Sequence, residues 1–247
     1  SDIGSSAVEV ALKRACQFWH NFGEERQKIL AIEGAYHGDT FGAMSVGDRG
    51  PFTKPFDAHL FEVAFVPFPE RGREDGVLTR FRELVRGGGV AAFVYEPLVQ
   101  GAAGMKMYSA AMLQAMLSEA HAAGVLCIAD EVFTGFGRTG SLFASDQLDE
   151  KPDLICLSKG LTGGALPMGV TACTPEVKAP FETSEILKTF FHGHSFTANP
   201  IICAAANASF ELLMRPEGKA QIKQLMQRQA AQVARFAAKP NAEHVRQ

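Results

Sequence analysis

Val125-Leu126-Cys127-Ile128-Ala129-Asp130-Glu131 is the stretch whose reading decides the fold. Its five leading residues form a short apolar run of the kind that makes a strand buried on both faces. The run stops at two carboxylates. A glycine-rich turn follows, Thr134-Gly135-Phe136-Gly137-Arg138-Thr139-Gly140, and a second apolar run, Leu154-Ile155-Cys156-Leu157, ends in Ser158-Lys159-Gly160. In an open parallel sheet the chemistry collects at the carboxyl ends of the strands. Asp130 and Lys159 are therefore expected just past two strand ends, facing one crevice.

The same alternation extends on both sides. Lys28–Ile32, 62–66, 90–95 and 168–173 read as strands. Residues 6 to about 20, 77–85, 109–123 and an alanine-rich segment from Asn199-Pro200 to about Leu213 read as helices. Ser6-Ala7-Val8-Glu9 has the form of a capping box, and Asn199-Pro200 that of an N-cap followed by proline at the first helical position. Strands alternating with helices predict an α/β fold, a mostly parallel doubly wound sheet with helices on both faces. Arg215-Pro216-Glu217-Gly218 breaks the pattern, and 219–238 reads as an exposed helix. The expected division is a large domain over residues 1–214, incomplete at its amino end, and a segment 215–247 leading into a further domain. The chain opens inside a strand-to-helix turn and closes on no stop pattern, so it reads as part of a longer protein.

Bulk properties narrow the function. The chain has 247 residues, 47% hydrophobic and 21% charged, with a formal net charge of −3. That charge offers nothing to nucleic acid or to an anionic membrane, and no apolar run approaches the roughly 18 residues of a membrane helix. Five cysteines at irregular spacings fit no metal motif and read as free thiols of a reducing cytoplasm. His192-Gly193-His194 lacks the helical spacing of a metal pair, and no metal is expected.

An acid and a lysine at neighbouring strand ends are what a pyridoxal 5′-phosphate enzyme needs, the lysine for a Schiff base and the acid against the pyridinium nitrogen. Each also has a plain reading. A lysine after a strand is commonly a solvated surface group, and an aspartate there a turn former. The small residues around Lys159, in Ser158-Lys159-Gly160-Leu161-Thr162-Gly163-Gly164, favour the cofactor, because glycines let it approach the backbone. Gly4 and Ser5, at the start of the first helix, form either a plain helix end or a phosphate cup. Tyr36, after the 28–32 strand, is either a ring laid on a planar cofactor or a rim aromatic. No P-loop pattern supports a nucleotide-binding domain with an incidental lysine.

Ala129-Asp130-Glu131-Val132-Phe133-Thr134-Gly135-Phe136-Gly137-Arg138-Thr139-Gly140, followed by Leu157-Ser158-Lys159-Gly160-Leu161-Thr162-Gly163-Gly164, resembles the class III aminotransferases of fold-type I. The resemblance covers Ser1 to about Met214. Four further stretches, 4–13, 36–45, 96–105 and 191–200, resemble most the branch that passes an amino group from S-adenosylmethionine to 8-amino-7-oxononanoate in biotin biosynthesis. The resemblance implies a homodimer with shared active sites and a set of roles. Lys159 would bind the cofactor covalently and move protons, and Asp130 would pair with its ring nitrogen. Gly4 and Ser5 would hold the phosphate. Tyr36 would stack by the ring and border the substrate, and Val132 would pack on the opposite face. His194 and Ser195 would reach the phosphate of the partner's cofactor, and Gly193 its substrate. Phe133 stands where ornithine and 4-aminobutyrate enzymes carry glutamine, which favours the biotin branch. Another ω-aminotransferase, or a fragment that only binds phosphate ligands, is the alternative.

Overall fold

The structure, a computed structural model, describes residues 1–239. In chain order it contains α1 (Gly4–Phe22), β1 (Lys28–Ile32), α2 (Phe41–Ser45), β2 (Ala64–Val66), α3 (Glu74–Arg86), β3 (Val90–Tyr95), β4 (Val99–Gln100), β5 (Lys106–Met107), α4 (Ala110–Ala122), β6 (Leu126–Asp130), β7 (Leu154–Leu157), β8 (Val170–Cys173), α5 (Pro175–Lys178), α6 (Pro200–Met214) and α7 (Pro216–Ala237). Six strands form one sheet in the order β2-β1-β3-β6-β7-β8. All neighbours run parallel except β7 and β8, which are antiparallel. β4 and β5 make a separate small hairpin.

Strand alternation divides the core into two layers. Leu30, Ile32, Phe93, Tyr95, Cys127 and Ala129 face α3 and α4, with Phe81, Leu113 and Met116 packed over them. Ile29, Ala31, Ala92, Val94, Leu126 and Ile128 face α1, where Val8, Leu12 and Trp19 cover them. The central strands are thus buried on both sides, as their unbroken apolar runs require. Trp19 Nε1 donates to the Ala91 carbonyl at 2.9 Å, tying α1 to the sheet.

Several elements depart from the sequence reading. The capping box does not form. The N-cap of α1 is Ile3, without a side-chain cap, and the helix begins at Gly4. Glu9 serves another helix instead: its Oε1 accepts the backbone N–H groups of Gly42 and Ala43 at 2.6 and 3.1 Å, at the start of α2. Bare N–H groups at a helix start draw a carboxylate wherever one can reach them. Pairing holds β2 to three residues, because only Ala64–Val66 meets β1. β8 begins at Val170, two residues later than expected, where its pairing with β7 starts. Asp130 is the last residue of β6 rather than the first beyond it. α7 begins at Pro216, since proline at the first position suits a helix start.

Candidate functional site

The carboxyl ends of β1, β3, β6 and β7 open into one cavity of about 910 Å³. The order of connection reverses around β1, with β2 on one side and β3, β6 and β7 on the other, and this is where open α/β sheets bind ligands. Tyr36 and His37 follow β1, Glu96 follows β3, Asp130 ends β6, and Lys159 follows β7. All five line the cavity, together with Gly4, Ser5 and Val132. The structure therefore gathers six of the sequence-predicted positions, Gly4, Ser5, Tyr36, Asp130, Val132 and Lys159, in one place.

Asp130 is 4% exposed. Its Oδ1 accepts the Val132 backbone N–H at 3.0 Å, and its Oδ2 lies 2.7 Å from His37 Nδ1. A carboxylate offers about four lone-pair sites, so capacity remains on the cavity side. His37 is wholly enclosed. Burial alone would lower its pKa, but the hydrogen bond and charge of Asp130, with the charge of Glu96, outweigh burial and raise it. Its Nε2 is buried without a partner. Glu96 is raised by burial, against the opposing pull of His37 and the Tyr36 and Gly101 N–H groups.

Lys159 is an exposed residue that opens a short 3₁₀ turn, Lys159–Thr162, with φ of 40°. A left-handed backbone at a residue with a Cβ costs on the order of 1–2 kcal/mol, and such strain collects at functional sites. Its Nζ stands 5.4 Å from the centre of the Phe133 ring. Tyr36, 46% exposed, lies at the rim, and its hydroxyl donates to Asp39 Oδ2 at 2.9 Å.

The start of α1 forms the opposite wall. The first bond of the helix joins the Ala7 N–H to the Ile3 carbonyl at 3.2 Å, so earlier N–H groups stand outside its ladder. Val132 packs so closely on Gly4 that a Cβ there would lie 2.7 Å from Val132 Cγ1. Ser5 Oγ accepts the Thr40 N–H at 3.0 Å and shares a 2.7 Å hydrogen bond with Thr40 Oγ1.

Gly193, His194 and Ser195 do not line this cavity. They lie in the loop before α6, where the His194 N–H donates to Thr197 Oγ1 and His194 Nδ1 accepts the Phe196 N–H. His192 Nδ1 lies 3.2 Å from Lys13 Nζ, and an ammonium at that distance is a poor neighbour for a cation. The sequence reading missed His37, Glu96 and the role of Glu131. For His37 a signal existed, because it stands at the same sheet edge as Asp130 and Lys159.

The residues fit a planar, phosphorylated, cationic ring such as pyridoxal phosphate. A buried carboxylate with spare acceptor capacity, a lysine at the mouth, a rim tyrosine and a helix start surround a single space.

Comparison with known proteins identifies the family. The family described as Aminotransferase class-III matches residues 1–247. An adenosylmethionine-8-amino-7-oxononanoate aminotransferase of Synechococcus elongatus is 52% identical over 229 residues, covering 90% of this chain and 54% of that protein. The enzyme of the same name from Geobacter sulfurreducens is 42% identical, covering 86% and 50%. The crystal structure of the Methanocaldococcus jannaschii enzyme of that name superposes with a TM-score of 0.86 at 33% identity, over 96% of this chain and 55% of that one. An ω-aminotransferase from Paracoccus denitrificans gives 0.85 at 30% identity, over 98% and 57%. The chain spans about half the length of the curated relatives it matches.

Proposed function

The chain belongs to the class III aminotransferase family, and on that premise we propose that the complete protein transfers an amino group from S-adenosylmethionine to 8-amino-7-oxononanoate. The product is 7,8-diaminononanoate, a precursor of biotin, and the cofactor is pyridoxal 5′-phosphate. The observation that carries this reading is the convergence of Asp130 and Lys159, from adjacent parallel strands, on one cavity closed by the start of α1. The choice of substrates draws on the names of the relatives and on Phe133, which offers an apolar ring where other branches of the family place an amide.

The cofactor, when bound, supplies an electron sink for the bonds at the amine-bearing carbon. The chain does the rest. Asp130, fixed by Val132 and His37, would accept the N–H of the ring nitrogen. N–H groups at the start of α1 would receive the phosphate, where the helix dipole favours an anion. Val132 and Tyr36, which both line the cavity, would bound the ring on its two faces. Lys159 Nζ would hold the cofactor and would serve as the general base that moves the proton at the amine-bearing carbon.

We place the large domain at residues 1–214. α7 carries no buried residue, as befits a helix that leads away from a finished core. Gly193, His194 and Ser195 serve the cavity of a second copy in a homodimer. Their placement on an exposed loop outside their own cavity supports that reading. Among the described residues no helix is long and apolar enough to cross a membrane, and all five cysteines are free. Both fit work in the cytoplasm.

The test is an amino-donor screen on the complete protein with 8-amino-7-oxononanoate as acceptor. S-adenosylmethionine should yield 7,8-diaminononanoate. Product formed only with lysine would change the donor. Turnover of simple amines with no reaction on the oxononanoate would move the protein to the ω-aminotransferases.

A further inference from the structure

Glu131 follows Asp130 directly, yet it turns the other way and does not line the cavity. Strand alternation sends it to the α4 side, where it is 0% exposed. Its Oε2 accepts Thr134 Oγ1 at 2.6 Å and the Ala144 N–H at 2.9 Å, and its Oε1 accepts the Ser145 N–H at 2.7 Å. Its own N–H donates to the Cys156 carbonyl at 3.0 Å, which fixes it against β7. One carboxylate therefore draws both ends of the segment 132–145 together. All of its side-chain partners are donors, so a group that accepts only is required there.

The loop so closed touches the cavity wall at several points. Val132 packs on Gly4. The Phe133 ring packs on Gly101, where a Cβ would lie 3.2 Å away, and it stands beneath Lys159 Nζ. Phe136, held at a left-handed φ of 61°, packs on Gly160, the residue after Lys159, where a Cβ would meet it at 3.0 Å. The tip also meets α7, where a Cβ on Gly137 would lie 2.7 Å from Ile222 Cδ1 and one on Gly140 2.6 Å from Met226 Cε, while Arg138 between them is exposed.

We infer that Glu131 is a positioning residue for Lys159: by closing the 132–145 loop, its carboxylate keeps Phe133 under the lysine and Phe136 against the lysine's turn. The inference deepens the reading of the cavity given above and rests on it.

The experiment uses the complete protein, first without cofactor. Glu131→Gln places an amide N–H₂ against backbone N–H groups, and Thr134→Val removes a single donor and spares the rest. Three readouts are compared with the parent: trypsin cleavage at Arg138 relative to the remote exposed Arg71, labelling of Lys159 by an amine-reactive reagent relative to Lys54, and affinity for pyridoxal phosphate by visible titration. In Glu131→Gln, cleavage at Arg138 should rise about tenfold with Arg71 unchanged, the relative labelling of Lys159 should rise, and affinity should fall about tenfold, the loss expected when a hydrogen bond to a charged group fails. Thr134→Val should shift all three the same way by less, and it decides the matter if Glu131→Gln does not fold. Parental values in a folded variant, or equal acceleration at Arg138 and Arg71, would overturn the inference. A parent that binds no pyridoxal phosphate would remove the proposed cofactor, while the cleavage and labelling would still judge the role of Glu131.

Discussion

The β6–β7 pair carries a histidine–carboxylate pair at each end, and the two are built to different purposes. At the carboxyl end His37 and Asp130 meet at 2.7 Å with side chains 0% and 5% exposed. His37 keeps one nitrogen without a partner, and Asp130 keeps acceptor capacity toward the cavity. At the amino end His121 lies between Glu150 at 2.8 Å and Asp153 at 3.2 Å, all three partly open to solvent. Asp153 also accepts the Cys127 N–H at 2.7 Å. There both nitrogens are engaged. The hydrogen bond to Asp153, above all, lifts the pKa of His121 to about 11. His121, Cys127 and Asp153 offer nitrogen, sulfur and oxygen atoms within 4.8 Å of one another. A metal would have to displace a proton from that histidine and another from a thiol that burial has pushed up to about 11. The cluster is a closed ion-pair clasp. A site that binds a ligand leaves something unsatisfied, and a clasp leaves nothing.

Substitutions can break this contrast, and the largest effect belongs to the carboxyl end. Asp130→Asn keeps the shape but loses the charge and one of the two acceptor oxygens. Turnover of the complete enzyme should fall about a hundredfold or more, the scale of a lost oriented electrostatic group. Steady-state rates within a few-fold of the parent would reduce Asp130 to a turn residue. His37→Phe should cost less, about tenfold in turnover, because it releases Asp130 without neutralising it. His37→Asn, whose amide can restore one donor, should recover part of the loss. Equal behaviour of the two would mean that His37 merely fills space.

The amino end should respond in stability alone. His121→Leu should leave turnover unchanged and lower unfolding stability by about 1–3 kcal/mol. A histidine whose folded pKa is raised stabilises most below its ordinary value, about 6.5, and loses that contribution as pH rises toward 11. The gap between parent and variant in denaturant melts should therefore be widest near pH 6 and narrow toward about pH 10. A gap independent of pH would show packing rather than charge.

Much of the fold was legible because apolar runs of four to six residues bounded by turns admit few readings. Asp130 and Lys159 were legible for a related reason: polar residues that end buried runs stand at one edge of the sheet. His37 also follows a predicted strand end, but its pairing with Asp130 was not legible, since that partner lies 93 residues further along. Glu131 could be seen as the second of two carboxylates, but its partners Ala144 and Ser145 act through backbone N–H groups that have no signature in sequence. Glu9 was misread for the opposite reason. The local pattern Ser-x-x-Glu was present, and a distant helix start claimed the carboxylate.

The central claim is that the carboxyl-end cavity holds pyridoxal phosphate on Lys159. Borohydride reduction of the complete protein with that cofactor, followed by peptide mass spectrometry, tests it most directly. The account predicts one pyridoxyl group per chain, on Lys159, and none in a folded Lys159→Ala variant. A label on another lysine, or the same label in the variant, would contradict it.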